Sequence, residues 1–285
     1  MIERIDQQGI VFYRSPLLAQ IGVPHGFSTR LGGVSAAPFD SLNLGNPLGC
    51  DRPDADANIR RNYERLLAGL RLAGRQHAFA RQVHGNSVAI VARETEGEYA
   101  ETLAAEIADR WHGQTEADAL ITARPEVAIT VRVADCLPIL LSNADGRVVA
   151  AVHAGWRGIV ANVIGHAVTA LAQAAGALGG GDRPGDRAGF CAAIGPGISV
   201  EHFQVGHEVA AAFTGASLAD AVQRRSDRVF INLQAAALQQ LAAAGIMRVD
   251  GNALCTYRDA AEFFSHRRDR GVTGRMAAAI GAARP

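Results

Sequence analysis

Apolar residues recur at helical spacing in "DADANIRRNYERLLAGLRL" (residues 54–72), where Ile59, Tyr63, Leu66, Leu67 and Leu70 share one face. "GIVANVIGHAVTALAQAAGAL" (residues 158–178) predicts a second long helix, ended by the glycine run 179–181. Two further helices are expected around residues 208–213 and 232–244. Strand patterns fall elsewhere. "GIVFYRS" opens the chain, "HAFARQVHGNSVAIVA" reads as two short strands around a turn at Gly85-Asn86, and "FCAAI" precedes a Gly-Pro-Gly turn. Residues 115–155 are the β-rich centre, punctuated by Arg-Pro and Asn-Ala-Asp-Gly turns. "HGFSTRLGGVSAAPFDSLNLGNPLG" predicts a long loop, and the end of the chain a loop leading into a final apolar segment. Strands do not alternate strictly with helices, so a doubly wound parallel sheet is not expected. The pattern predicts a mixed α/β (α+β-like) fold, its sheets covered outside by helices.

At 285 residues and 48% hydrophobic composition, the chain can build one large core. Its formal net charge is zero, which gives no electrostatic reason for nucleic acid or an anionic membrane as partner. No run approaches the roughly 18 apolar residues of a membrane span. The first residues lack the basic-apolar-small order of a secretory leader. Cys50, Cys136, Cys191 and Cys255 lie far apart without a CxxC pair, unlike a disulfide framework. The expectation is a reduced, cytoplasmic protein, acting as a monomer.

"TVRVADCLPILLSNADGRVVAAVHAGWRG" (residues 130–158) carries the first chemical signal. With a two-residue turn at Ala144-Asp145, Cys136 lies directly opposite His153 across a hairpin, on the same face. A turn at Asp145-Gly146 displaces the pair by one diagonal step but keeps the shared face; a three-residue loop would separate them. A thiolate and an imidazole that close can hold zinc, and His84 in "RQVHGN" is the natural third donor. Taken singly, a strand cysteine is more often packed core and a turn histidine more often plain surface.

Several segments together resemble the YfiH family: "HGFSTRLGGVS" with "PFDSLNLG", "RQVHGNSV", "DALIT", "VADCLPILL", "AVHAGWRG", "AAIGPGIS" and "FFSHRRDRGVTGRM". They span residues 25–276 in order. The resemblance implies a single domain over residues 1–285, with mixed sheets sandwiched between helices. It also implies a metal site of His84, Cys136 and His153, matching the hairpin argument. The implied activity is zinc-dependent phosphorolysis of adenosine, inosine, guanosine and S-methyl-5'-thioadenosine, with adenosine deamination as a further reaction. The partners would then be a purine nucleoside and phosphate. An older reading of the family as copper-dependent polyphenol oxidases keeps copper open as the metal. The chain departs from the family pattern at Cys50, where an aspartate is common, and at His266, where a tyrosine is usual.

Multicopper oxidation fits poorly, because nine histidines with no His-X-His pair cannot easily build a blue-copper and a trinuclear centre. The cytidine-deaminase signatures H-x-E and P-C-x-x-C are absent, so any deamination would use another arrangement. For phosphorolysis, Arg30 in "STRLGG" and Arg157 in "HAGWRG" are candidate phosphate or ribose contacts, although each could equally pair with a surface acid. Asn43 in "LNLG" is a candidate substrate hydrogen-bonder, though turn asparagines usually bond their own backbone. Asp135 points away from Cys136 on a regular strand, leaving it a supporting role. Arg267, Arg268 and Arg275 form a basic group that salt bridges explain as well as substrate does. Trp156 could stack on a base or pack in the core. The runner-up chemistry is a metal-free hydrolase with Cys136 as nucleophile and His153 or His84 as base. A third possibility is a partner-binding protein without turnover.

Overall fold

The computed structural model describes residues 1–47, 49–91, 115–178, 187 and 189–284. The chain opens with β1 (Glu3–Gln7), β2 (Ile10–Arg14), a short helix α1 (Pro16–Gln20) and β3 (His25–Ser28). Helix α2 (Asp56–Gly69) leads to β4 (Gln76–Phe79) and β5 (Val88–Val91). The centre comprises β6 (Ala119–Thr122), β7 (Val127–Val133), β8 (Leu137–Ser142) and β9 (Val149–Ala154), followed by α3 (Trp156–Val160) and α4 (Val163–Ala177). Next come β10 (Cys191–Ile194), β11 (Gln204–Val205), α5 (His207–Gly215), β12 (Val222–Arg225) and β13 (Arg228–Ile231). Helix α6 (Leu233–Ala243), β14 (Arg248–Asp250) and β15 (Met276–Ile280) complete the chain.

Two six-stranded sheets, ordered β1-β2-β3-β15-β7-β4 and β14-β10-β8-β9-β6-β5, pack face to face, with a small β11-β13-β12 sheet beside them. Most pairings are antiparallel; β4 with β7, β5 with β6 and β10 with β14 are parallel. Strand alternation builds three apolar layers. Val127, Ile129, Val131 and Val133 of β7 point between the sheets with Val149 and Ala151 of β9. Ala128 of β7 and Ala277 of β15 face outward under α2, while Ala150 and Val152 face outward under α4 and α6. The order is therefore helix, sheet, sheet, helices, as the resemblance implied. Among the described residues no helix is long and apolar enough to cross a membrane.

Three expectations need correction. The long helix of residues 158–178 is two helices, because Asn162 adopts a left-handed conformation (φ 60°, ψ 38°) between α3 and α4. Asparagine tolerates that region, and hydrophobic spacing carries no mark of it. The early loop begins with a buried strand, β3, and the final apolar segment is β15, hydrogen-bonded between β3 and β7. Its small alanines fit where two layers meet. The two strands around Gly85-Asn86 do form, but in different sheets, so the chain crosses from one sheet to the other between them. The glycine run 179–181 lies outside the described residues.

Candidate metal centre

Two crossovers between the sheets meet at one end of the slot. One is the link from β4 to β5, which carries His84; the other is the link from β7 to β8, which carries Cys136. His153 sits one residue from the end of β9, on the strand face that looks into the slot. The preferred two-residue turn at Ala144-Asp145 does not form. Residues 144–147 make a four-residue loop instead, closed by Asn143, whose N–H donates to the Val148 carbonyl (3.1 Å) and whose Oδ1 accepts from the Val148 N–H (3.0 Å). The register pairs Pro138 with His153, the displaced alternative, and the even loop keeps Cys136 and His153 on one face.

The side chains of His84, Cys136 and His153 converge, with a ligand atom from each within 4.8 Å of the others. The two imidazoles stand edge to face, ring centroids 4.9 Å apart. Room for this comes from Gly155: a Cβ there would lie 3.0 Å from Cys136 Sγ and 3.2 Å from His84 Cδ2. An added Cβ would press on the sulfur and the His84 ring, which would have to give by a few tenths of an ångström.

Asp118, immediately before β6 and fully buried, orients both histidines. Its carboxylate accepts the backbone N–H groups of Val83 (3.2 Å), His84 (3.0 Å) and Gly85 (2.7 Å), and meets His153 Nδ1 at 2.7 Å. With Nδ1 held by a carboxylate, Nε2 is the nitrogen left for the sulfur or a metal, the arrangement that fixes metal-bound histidines. The same contacts explain the left-handed backbone of His84 (φ 60°), which turns three successive amides toward one acceptor.

Burial raises the Cys136 thiol's pKa, but His153 and then His84 outweigh that and bring it down. Burial lowers the His153 pKa, and Cys136 with Asp118 reverses this to a net rise. Asp118 is pushed up by burial yet ends below its ordinary value through its bonds to His153, Gly85 and Val83. The site thus favours thiolate, the form that binds metal. One thiolate and two imidazoles within a few ångströms suit a single ion such as zinc, and the same donors accept copper.

The surrounding candidates separate clearly. Arg157 is exposed two residues beyond Gly155, stacked on half-buried Trp156 with its guanidinium carbon 4.3 Å from the ring centroid. Arg30 bonds the Asp40 carboxylate (3.1 Å) and backbone carbonyl (2.7 Å) and lies over the Phe264 ring. Asn43 is fully buried; its amide donates to Asp54 and its oxygen accepts from Gly45 and Arg275 N–H. Asp135 (φ 89°) accepts from Thr256 Oγ1 and the Arg267 N–H, which ties the residues 265–271 loop to the Cys136 crossover. Arg268 is held by Asp269 and three carbonyls, and Arg267 reaches the Gln204 carbonyl. Half-buried Arg275 differs, standing within electrostatic range of Cys136 and Arg132. Sequence reasoning missed Asp118 and Gly155, and it grouped Arg275 with Arg267 and Arg268 without separating it from them. "DALIT" and "HAGWRG" contained the first two, but their roles depend on three segments meeting.

Fold and site together define a two-sheet protein with a His-Cys-His centre at the end of the inter-sheet slot. The chain belongs to the YfiH family: residues 24–283 match the family model described as multi-copper polyphenol oxidoreductase laccase. It is 38% identical over 273 residues to a purine nucleoside phosphorylase of Deinococcus radiodurans, covering 96% of this chain and 93% of that one. It is 36% identical to the purine nucleoside phosphorylase YfiH of Escherichia coli K12, covering 91% and 93%. Its structure superposes on the crystal structure of YlmD from Geobacillus stearothermophilus with a TM-score of 0.78 at 30% identity, covering 99% and 100%.

Proposed function

We propose that the chain is a zinc-dependent purine nucleoside phosphorylase, cleaving adenosine, inosine, guanosine or S-methyl-5'-thioadenosine with phosphate and able to deaminate adenosine. The observation that carries this reading is the convergence of His84, Cys136 and His153 under one carboxylate, Asp118, in a chain similar to named phosphorylases. Three protein donors are the number typical of catalytic zinc sites, which take water or substrate as the fourth ligand. Bound zinc would supply Lewis acidity toward a coordinated oxygen and lower the pKa of bound water.

The chain's own residues do the rest. Asp118 keeps the proton of His153 on Nδ1, so Nε2 stays a donor toward the metal. Arg157, exposed beside the centre, is the candidate contact for the incoming nucleoside or phosphate. Arg30 and Asn43 act in this reading through the loop they brace, since their polar groups are already engaged there. In this reading the enzyme works as a monomer in the cytoplasm. The polyphenol oxidase name asks for several copper centres, whereas the described residues bring together one such His/Cys group.

Purified protein incubated with inosine and phosphate is expected to release hypoxanthine and ribose 1-phosphate. Cys136→Ala, folded, is expected to release neither; an equally active variant overturns the reading.

A second reading has its own support, because Cys136, His153 and Asp118 are also ordered as nucleophile, base and orienting acid. His84 argues against it: a thiol mechanism has no use for a second imidazole on the sulfur. The hydrolase predicts turnover that survives chelation and stops on alkylation of Cys136; the phosphorylase predicts loss of turnover on chelation.

A further inference from the structure

A cavity of about 220 Å³ opens between α2 and the end of the first sheet, with Arg60, Arg132, Tyr63, Phe79, Gly45 and Asp56 among its walls. It lies on the α2 side of the first sheet, and the chain links it to the metal centre at the end of the slot. Phe79 ends β4 five residues before His84, and Arg132 lies in β7 four residues before Cys136. Gln82, two residues before His84, clamps the Arg132 backbone from both sides: its Nε2 donates to the carbonyl (2.7 Å) and its Oε1 accepts the N–H (2.8 Å).

The Arg132 side chain is placed with care. Its guanidinium carbon stands 5.1 Å from the Phe79 ring centroid, and among the described residues no carboxylate pairs with it. It passes over Gly45, where an added Cβ would come within 3.0 Å of Cδ and 3.2 Å of Nη1. The glycine of "LNLG" therefore gives the arginine its path, and Asn43 fixes that turn by accepting from the Gly45 N–H. Arg60 of α2 supplies a second guanidinium, and among the described lining residues Asp56 is the one carboxylate. Tyr63 and Phe79 contribute ring surface.

We propose that this cavity binds the phosphate group of the reaction, with Arg132 as its principal ligand, Arg60 as its second, and room for the attached pentose. Guanidinium forks match phosphate oxygens. The ring surfaces suit the carbon face of a sugar, and the volume exceeds what inorganic phosphate fills. The anion assignment stands on the cavity; the pentose rests on the phosphorolysis reading above. In that reaction a phosphate oxygen bonds to C1' as the bond from C1' to the purine nitrogen breaks. The departing base keeps the electron pair and takes up one proton, and the product in the cavity is a pentose 1-phosphate.

The test is binding of inorganic phosphate to the whole metal-loaded protein, followed by calorimetry, with zinc content and melting temperature recorded for each variant. Arg132→Ala is expected to weaken phosphate binding about tenfold or more, the scale of a charged hydrogen bond lost, with zinc content unchanged. Arg132→Lys should recover part of it, Arg60→Ala should lose less, and Arg228→Ala on β13 should lose nothing. Gly45→Ala, which obstructs the arginine without removing it, should weaken binding as well and serves if Arg132→Ala does not fold. In the nucleoside assay the KM for phosphate should rise while that for inosine holds. Phosphate binding that depends on Arg132 in a protein without phosphorolysis keeps the anion site and overturns the proposed function. Unchanged phosphate binding in folded Arg132→Ala and Gly45→Ala overturns the site, whatever the activity.

Discussion

Two carboxylates from different regions carry buried polar networks, and they end differently. Asp54 accepts from Ser35 Oγ, Asn43 Nδ2 (3.0 Å) and Asn58 Nδ2 (2.8 Å), while its backbone exchanges two bonds with Asn46. Asn62 completes that network with bonds to Val34 N–H, Ser35, Ser41 and Asn43. The donors and acceptors satisfy one another, and the result is a braced loop. Asp118 gathers as many donors, yet the groups it orients still have a ring nitrogen to offer at a point they share with a thiolate. A closed network buys rigidity; an open one that aims ligand atoms at a common point makes a site.

The comparison breaks most sharply at Asp54. Asp54→Ala strands several buried donors and is expected to cost about 3–5 kcal/mol, read from denaturant unfolding, while zinc affinity in the folded fraction stays unchanged. A matching fall in zinc affinity would mean that the two networks are one. Asp118→Asn is expected to lower zinc affinity about 10–100-fold in competition with a chromophoric chelator. Wild-type affinity would show that Asp118 does not orient the ligands.

A pH series sharpens the contrast between histidines that hold the fold and those gathered at the candidate site. His25, buried with Nδ1 on the Val23 carbonyl and Nε2 accepting the Ser15 N–H, is pushed down to about 4 by burial. His77, beside Thr130, is pushed down to about 3, first by burial and then by Arg132. Both stay neutral in the fold while the unfolded chain takes up protons near pH 6.5. The unfolded state then binds more protons, so stability is full above about pH 6.5 and falls toward pH 4, by up to about 1.4 kcal/mol per unit for each histidine. His25→Asn should flatten the slope of unfolding free energy by one proton; an unchanged slope contradicts the assignment. The smallest effect belongs to the loop of residues 144–147, where Arg147→Ala removes an exposed pair with Asp145 and should change stability by less than about 1 kcal/mol.

Much of this was legible in the sequence for a physical reason. The face of α2 could be read because Tyr63, Leu66, Leu67 and Leu70 repeat at helical spacing, and all four are buried. Cys136 and His153 could be placed together because side-chain direction in a strand pair depends only on loop parity, so an error in turn length left the answer standing. Asn162 could not be read, since one left-handed residue between Ile159 and Val163 leaves the apolar spacing intact. Nor could Asp118 or Arg132, whose partners lie about 35 and 50 residues away on other segments. His84 came from the resemblance and its neighbouring turn, because nothing local says that its loop crosses between sheets.

On the proposed function, the two imidazoles and the thiolate hold one ion together. Metal quantification on freshly purified wild-type and Cys136→Ala protein, with melting curves for both, tests it directly. About one zinc per chain in the wild type and essentially none in a folded variant is the predicted result. A wild type without bound metal after zinc reconstitution, or a variant that keeps its full complement, would contradict it.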